Sequence, residues 1–476
     1  MPAKVGHSGH LGHAGRHRLQ KPVSLQATCR PIVSAFRLPM LRKITAAPAF
    51  VPTLVAALVL LVVSCIYFHP LLAGKLLKSS DVILIHGMQK DIFDYRATHP
   101  GEDAFWSTSM FSGMPAYTIH YEPEGNLIKQ IQRAMRAVLP EPIPHFFLGM
   151  LGFFFLLRVF GVSVWLALAG AFGFGFFSYH LIITEAGHGA KLAALMYGPA
   201  VLASIASTFR GNLLAGAALL ALCMGFELTS NHVQITYYLA IIVGLYGLYE
   251  LVRMVRAGQV KRYVLSLAAM VVAVGVALLM SAITLLPLYE YNAYSIRGTS
   301  ELQVEPGERE ERPGGKKSTG VDRDYAFNWS NDRDELLTLV MANAKGGSSS
   351  AKIDRSSVLV KERGDQMMDY PWPLYWGTQP FTSGPTYAGA LICFLFILGL
   401  ILDRTGLKWV VLYSTLLFMI MSLGKNSYGI PEVLIFFSIP AIYLLTYKKI
   451  TQLSPPVYGL VLALGGTVVW AIAWRW

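Results

Sequence analysis

Asp81, Asp91 and Asp94 stand in a polar and aromatic stretch, Ser80–Tyr121, flanked on both sides by strongly apolar sequence. A carboxylate in a desolvated pocket can take the proton of a hydroxyl acceptor, so each acid is a candidate general base. The spacing of Asp91 and Asp94 puts both on one face if that segment is helical. Glu185, His188 and Lys191 follow in ITEAGHGAKLAAL, Glu227, Asn231, His232 and Gln234 in FELTSNHVQITYY, and Glu290 and Arg297 in LLPLYEYNAYSIRG. His188, Lys191 and Arg297 have the chemistry to hold a phosphate leaving group and stabilise its developing charge. Glu185 and Glu290 join them as candidate substrate contacts. So do Tyr375 and Trp376 in YPWPLYWGTQPF; their rings fit either a sugar- or lipid-binding wall or an interfacial belt. Taken singly, each ionisable residue also fits a snorkelling helix end or a structural hydrogen-bond pair. No Walker loop, dinucleotide fingerprint, zinc helix or Gly-x-Ser-x-Gly elbow occurs. The residues define no metal site and no cofactor, and they leave a divalent metal beside the acids open.

The elements that must position these residues are membrane helices. The chain has 476 residues, 54% of them hydrophobic, and only 14% charged, against about 25% in ordinary soluble domains. The net charge is +12, and along the apolar part of the chain the basic residues fall at segment ends, where the positive-inside rule and anionic lipid explain them better than nucleic acid does. The pattern predicts an all-α polytopic membrane protein with about eleven transmembrane helices of roughly 20 residues each. The first is at Ala49–Phe68, and the last two are at Val433–Tyr447 and Val457–Trp474. Residues 1–44 form a basic arm predicted to be disordered, and 45–476 the transmembrane domain. His7, His10, His13 and His17 lie in the arm, among glycines that disfavour a helix aligning them for metal; Met40 is a natural alternative start. Ala49–Phe68 reads as a retained anchor, since the residues after it make a poor cleavage site.

Arginine and lysine alternation places the N-terminus in the cytoplasm and two large loops, 70–144 and 287–386, outside. In the first of these, residues 125–139 repeat apolar residues at helical spacing opposite Lys129, Arg133 and Arg136, as an interfacial helix does. The ionisable clusters all fall on the outer side, and no matching set is expected at the cytoplasmic ends. That bias favours one outward-facing pocket over a conduit across the bilayer. Cys29, Cys65, Cys223 and Cys393 are scattered, with no disulfide framework or metal spacing.

Several phrases carry a resemblance: Trp106–Tyr117 (WSTSMFSGMPAY), Glu185–Lys191 (EAGHGAK), Leu285–Tyr291 (LLPLYEY), Ser295–Gly298 (SIRG) and Tyr375–Pro385 (YWGTQPFTSGP). Over roughly residues 45–428 the chain resembles the YfhO-type bacterial membrane proteins, especially the long Bacteroidetes-like forms. That family is similar to the GT-C superfamily of membrane glycosyltransferases. The resemblance implies a GT-C-like fold in the bacterial inner membrane and a polyprenyl-phosphate sugar donor. It also implies a cell-envelope glycan or lipid acceptor, with membrane lipid and no nucleic acid as surroundings. By position Asp81 matches the superfamily's loop acid, with Asp91 next. Family members usually continue past Ser422–Asn426 with a further bundle and a soluble domain, so the resemblance also implies a C-terminally truncated chain, with its activity left open. The rival readings are a transporter or flippase for a lipid-linked glycan, and a non-catalytic envelope assembly protein.

Overall fold

The computed structural model describes residues 47–427 apart from 78, 120–124, 296–322 and 382–383. The arm 1–44, Arg297 and the apolar runs 433–447 and 457–474 lie outside the described residues. Helices of nine or more residues are α1 Ala47–Tyr67, α2 Ser80–Thr98, α3 Leu127–Val138, α4 Ile143–Val159, α5 Val164–Gly175 and α6 Ser178–Ala186. They continue as α7 Gly189–Arg210, α8 Leu213–Thr229, α9 Val233–Arg256, α10 Val260–Tyr291, α11 Ala390–Leu402 and α12 Leu407–Ser422. Strand is confined, among the described residues, to a hairpin of β1 Trp106–Ser107 and β2 Met114–Pro115, with Trp106 opposite Pro115.

The all-α expectation holds, but the expectation of about eleven spans does not. Among the described residues, four helices are long and apolar enough to cross a bilayer: Phe50–Tyr67, Gly189–Arg210, Val233–Arg256 and Val260–Tyr294. Two bent pairs, α3 with α4 at 114° and α5 with α6 at 40°, bring the number to six if each is one span. The physical reason is that apolar runs are cut by breaks hydropathy does not register. α8, α11 and α12 have 17, 13 and 16 residues. At about 1.5 Å per residue each is shorter than a ~30 Å hydrocarbon core.

α7 is the centre of the bundle. Of its apolar window 83% is buried, against 17% for α1, 28% for α9 and 22% for α10. α4 and α8 pack along it, and α10 lies against α8. Close approach depends on small residues, as in membrane helix pairs generally. A Cβ built on Gly152 of α4 would meet the Ala200 backbone nitrogen of α7 at 2.9 Å. α1 buries Ala56 and Leu60 against Met150, Phe154, Ala167 and Ala171. The outward faces of α1, α10 and α11 stay exposed and apolar, including Leu58, Val62, Val271, Val272, Leu279, Leu391 and Ile401. Water would not tolerate so much contiguous apolar surface, whereas lipid would.

Two extramembrane-type segments meet at α6. The polar stretch after α1 is mostly the helix α2, followed by the hairpin. α3 starts at the cap Asn126, whose Oδ1 accepts from the Lys129 N–H (3.0 Å) and whose Nδ2 donates to the Met280 carbonyl of α10 (2.6 Å). Ile128 and Gln132 turn inward. The segment before α11 returns along α6: Ser178 Oγ donates to the Pro385 carbonyl (2.8 Å), and the Tyr387 N–H donates to Ser178 Oγ (2.6 Å). The two long loops therefore share one end of the bundle, called here the loop end.

The far end holds a group that sequence reasoning did not expect. Glu250 of α9 is fully buried. Its Oε1 accepts from Arg210 Nε and the Tyr246 hydroxyl, both at 2.8 Å, and its Oε2 from Arg253 Nε at 2.7 Å. The Arg210 guanidinium also lies over the Phe160 ring, 4.7 Å from its centroid. The expectation of no matching polar set at that end is corrected. Arg210 and Arg253 look like simple flanking charges in sequence, but they clamp one acid between α7 and α9.

Candidate functional site

At the loop end three helices begin side by side. α2 starts after Ser79, α7 after His188 and α9 after His232, and none of these three cap side chains bonds a backbone N–H of its helix. Helix starts carry free N–H groups and partial positive charge, which suits anions. The first two starts are locked together by the α6–α7 corner. Gly187 ends α6 with φ +91°. The His188 N–H donates to the Ile183 carbonyl (2.9 Å) and the Gly187 N–H to the Thr184 carbonyl (3.1 Å), a Schellman closure. A Cβ on Gly187 would lie 2.2 Å from Ser79 Oγ and 3.2 Å from the Asp81 Cβ, so the corner sits directly on the start of α2.

That docking brings His188 Nε2 to 2.9 Å from Asp81 Oδ2, with both side chains partly open to solvent. Lys191 lies one turn further along α7, its Nζ 5.2 Å from the Tyr179 ring centroid, within cation–π range. His232 completes the group. Burial, together with the charges of Lys191 and His188, holds its imidazole below the usual histidine range. Three buried polar atoms here have no hydrogen-bond partner among the described residues: Ser79 Oγ, Asn231 Oδ1 and His232 Nδ1. Asn231 is in the left-handed region at φ 57°. Buried polar groups are normally satisfied, so unsatisfied ones gathered at one place are consistent with a ligand. Behind this turn, fully buried Glu227 accepts from the Thr236 hydroxyl at 2.9 and 3.1 Å.

The other sequence candidates take different surroundings. Asp91 is a staple for the hairpin: Ser107 Oγ donates to both its oxygens (3.0 and 2.9 Å), and the N–H groups of Thr108 (2.8 Å) and Ser109 (3.3 Å) donate to Oδ2. Desolvation pushes its pKa up, but the Thr108, Ser107 and Ser109 donors outweigh it and hold the carboxyl below its ordinary value. Asp94 is exposed and pairs with Lys90 one turn back. Glu185 is exposed in the last turn of α6, and Glu290 in the last turn of α10. Glu290 sits near Tyr117, whose phenol is raised first by burial and then by that carboxylate. Tyr375 donates to Glu335, and Trp376 is exposed. Arg297 lies outside the described residues.

The structure thus joins Asp81, His188 and Lys191 and adds His232. The signal for His232 was its place at a return turn in a polar cluster. Its partners lie more than forty residues earlier in the chain, beyond the reach of spacing arguments. Among the described residues no group of three or more His, Cys, Asp or Glu is placed to hold a metal, and Cys65, Cys223 and Cys393 are free. Comparison of the chain with protein-family models, curated proteins and solved structures finds no match.

Proposed function

We propose that this chain is a membrane glycosyltransferase that moves a sugar from a polyprenyl-phosphate donor to a cell-envelope glycan or lipid acceptor at the loop end. The observation that carries the reading is the Asp81–His188 pair set among three helix starts, with Lys191 beside it. A base and an anion site side by side are what transfer from a phosphate leaving group requires. Asp81 takes the acceptor hydroxyl proton as that oxygen bonds to the anomeric carbon. The bond from the anomeric carbon to the phosphate oxygen breaks, and its electron pair leaves with polyprenyl phosphate. His188 orients Asp81 through Nε2 and offers its second ring nitrogen to the phosphate. Lys191 and the helix starts hold the departing charge, with Arg297 as a further contact. The proposal includes a bacterial inner-membrane location, a GT-C-like arrangement, a cytoplasmic N-terminus and outward loops, in line with the YfhO-type resemblance.

The test is donor turnover in nanodiscs, with radiolabelled polyprenyl-phosphate sugars supplied to the chain and to Asp81→Asn. Turnover by the chain and loss of at least about a hundredfold in folded Asp81→Asn are expected, the usual scale for a general base. Equal turnover by both overturns the assignment of Asp81. One observation favours a second reading: Glu227 is a fully buried carboxylate in the last turn of the apolar helix α8, and buried acids in apolar helices often mark transport paths. A flippase would move a labelled lipid-linked glycan between leaflets without consuming it, and Glu227→Gln would stop that movement. A non-catalytic assembly protein would do neither.

A further inference from the structure

The segment before α11 is held by a ladder of side chains. Residues 329–335 and 375–381 run antiparallel, and their partners stay in step. Trp329 packs on Phe381 (ring centroids 5.2 Å, 86°) and donates through Nε1 to the Phe381 carbonyl (3.2 Å). Gln379 Nε2 donates to Asn331 Oδ1 (2.6 Å), the Thr378 hydroxyl to Asp332 Oδ1 (3.0 Å), and the Tyr375 hydroxyl to buried Glu335. Each step forward in one segment is a step back in the other. The ladder is seated on the end of α12: the Asn331 N–H donates to the Ser422 carbonyl (2.9 Å), and Asn426 Nδ2 donates to the Asn331 carbonyl (2.9 Å).

One end of this ladder is aromatic and open. Trp329 is 39% exposed, Phe381 58% and Tyr325 52%, with Tyr325 edge-on to Trp329 at 5.9 Å. The next rungs fix a carboxamide pair and a carboxylate–hydroxyl pair beside the rings. Broad aromatic surface with a few convergent, immobilised polar groups is the make-up of a small-ligand site. The polar groups are amide, hydroxyl and carboxylate, which pair with hydroxyls and acetamides rather than with anions. Lys345 is held by Asp334 (2.6 Å) and Asp332 (3.9 Å), so it is not left to attract anionic headgroups. Position adds to this. Pro385, just after the ladder in sequence, accepts from Ser178 at the start of α6, and Asp81 meets the corner at the end of that helix. α6 has nine residues, or about 13 Å at 1.5 Å each.

We propose that Tyr325, Trp329 and Phe381, with Asn331, Asp332 and Gln379, form a saccharide platform that holds the glycan part of the acceptor beside Asp81. The placement beside Asp81 rests on the transfer reading; the platform itself does not.

The test is saturation-transfer NMR on the full chain in nanodiscs, with maltohexaose, laminarihexaose and chitohexaose as probes. At least one hexasaccharide is expected to bind. Trp329→Ala and Phe381→Ala should each weaken it about tenfold, a typical aromatic hot-spot loss. Trp329→Phe should retain binding, which separates a lost ring from a misfolded loop. Trp165→Ala, a change to an exposed ring on α5, should leave binding intact. The platform is overturned if no hexasaccharide binds, or if folded Trp329→Ala and Phe381→Ala bind like the parent. It is equally overturned if lipid-borne quenchers reach Trp329, which would make the patch a membrane anchor. Binding without donor turnover keeps the platform and fails the transferase; turnover without saccharide binding does the reverse.

Discussion

Residues of one chemical type divide here by what their oxygens touch. Asp91 and Asp81 are both acids of α2, yet Asp91 spends its lone pairs on Ser107, Thr108 and Ser109 while Asp81 faces His188. The difference has a pH consequence. The native pKa of Asp91 is depressed, so its contribution is complete above the unfolded value near 3.8 and is lost as pH falls through the lower native value. Amide exchange at Thr108 and Ser109 should therefore be pH-corrected and flat from pH 7 to 5 and accelerate below about pH 4. Asp91→Asn should mimic the acid state at neutral pH, with about tenfold less protection, as expected for losing one charge-assisted bond. Unchanged protection in that variant would mean the hairpin holds itself. Glu227 is the opposite case. No cation lies within ion-pair distance of it among the described residues, and burying an unpaired charge is costly. Glu227→Gln, which keeps a partner for Thr236, should match or exceed the parent in thermal stability; a large loss of Tm would point to an interaction specific to the carboxylate.

At the scale of elements, corners and clamps decide the geometry. Gly187 is required twice, for its left-handed φ and for its contact with Ser79. Gly187→Ala forces an L side chain into that region, which costs about 1–2 kcal/mol before the clash with Ser79 Oγ is counted. The α2 start should move away from α7, separating Asp81 from His188, and donor turnover should fall with it. A variant that keeps full turnover would show that the corner does not position the base. At the far end, Glu250→Ala leaves Arg210 and Arg253 facing each other without their acid. Loss of one partner from a buried pair typically costs about 3–5 kcal/mol, and denaturant titration of the variant should register it. Arg253→Met, which removes the more exposed arm, should cost less. The apolar helices are legible in the sequence: α1, expected at Ala49–Phe68, lies at Ala47–Tyr67. The interfacial pattern of 125–139 became α3, set at 114° to α4. The clamp and the ladder were not legible, because Arg210 stands forty residues from Glu250, the paired rungs stand forty or more apart, and each residue alone looks like an ordinary flank or turn. The span count failed for a related reason, since hydropathy sums composition and does not see where a helix stops.

For the whole molecule, the decisive relation is that both long loops and the three helix starts share one end. α9 runs from His232 at that end to Arg256 at the other through 24 residues, or about 36 Å at 1.5 Å per residue, enough to cross a ~30 Å core. Sidedness follows directly. In a chain with its native cysteines replaced, Lys90→Cys on α2 and Lys361→Cys in the later loop should react with an impermeant maleimide from one face of a sealed vesicle. Ala257→Cys, just after α9, should react only from the other. All three labelling from one face would mean that α9 does not cross, and the loop end would then be a fold of the bundle unrelated to the two sides of a membrane. If Lys90 and Lys361 report the outer face of intact cells, Asp81 faces the compartment where envelope polymers are assembled. The basic far end then lies against the cytoplasmic leaflet, where anionic lipid favours the excess charge of Arg253, Arg256, Lys261 and Arg262. The opposite result would put the proposed base on the cytoplasmic side and exclude an envelope acceptor, whatever the chemistry of the site.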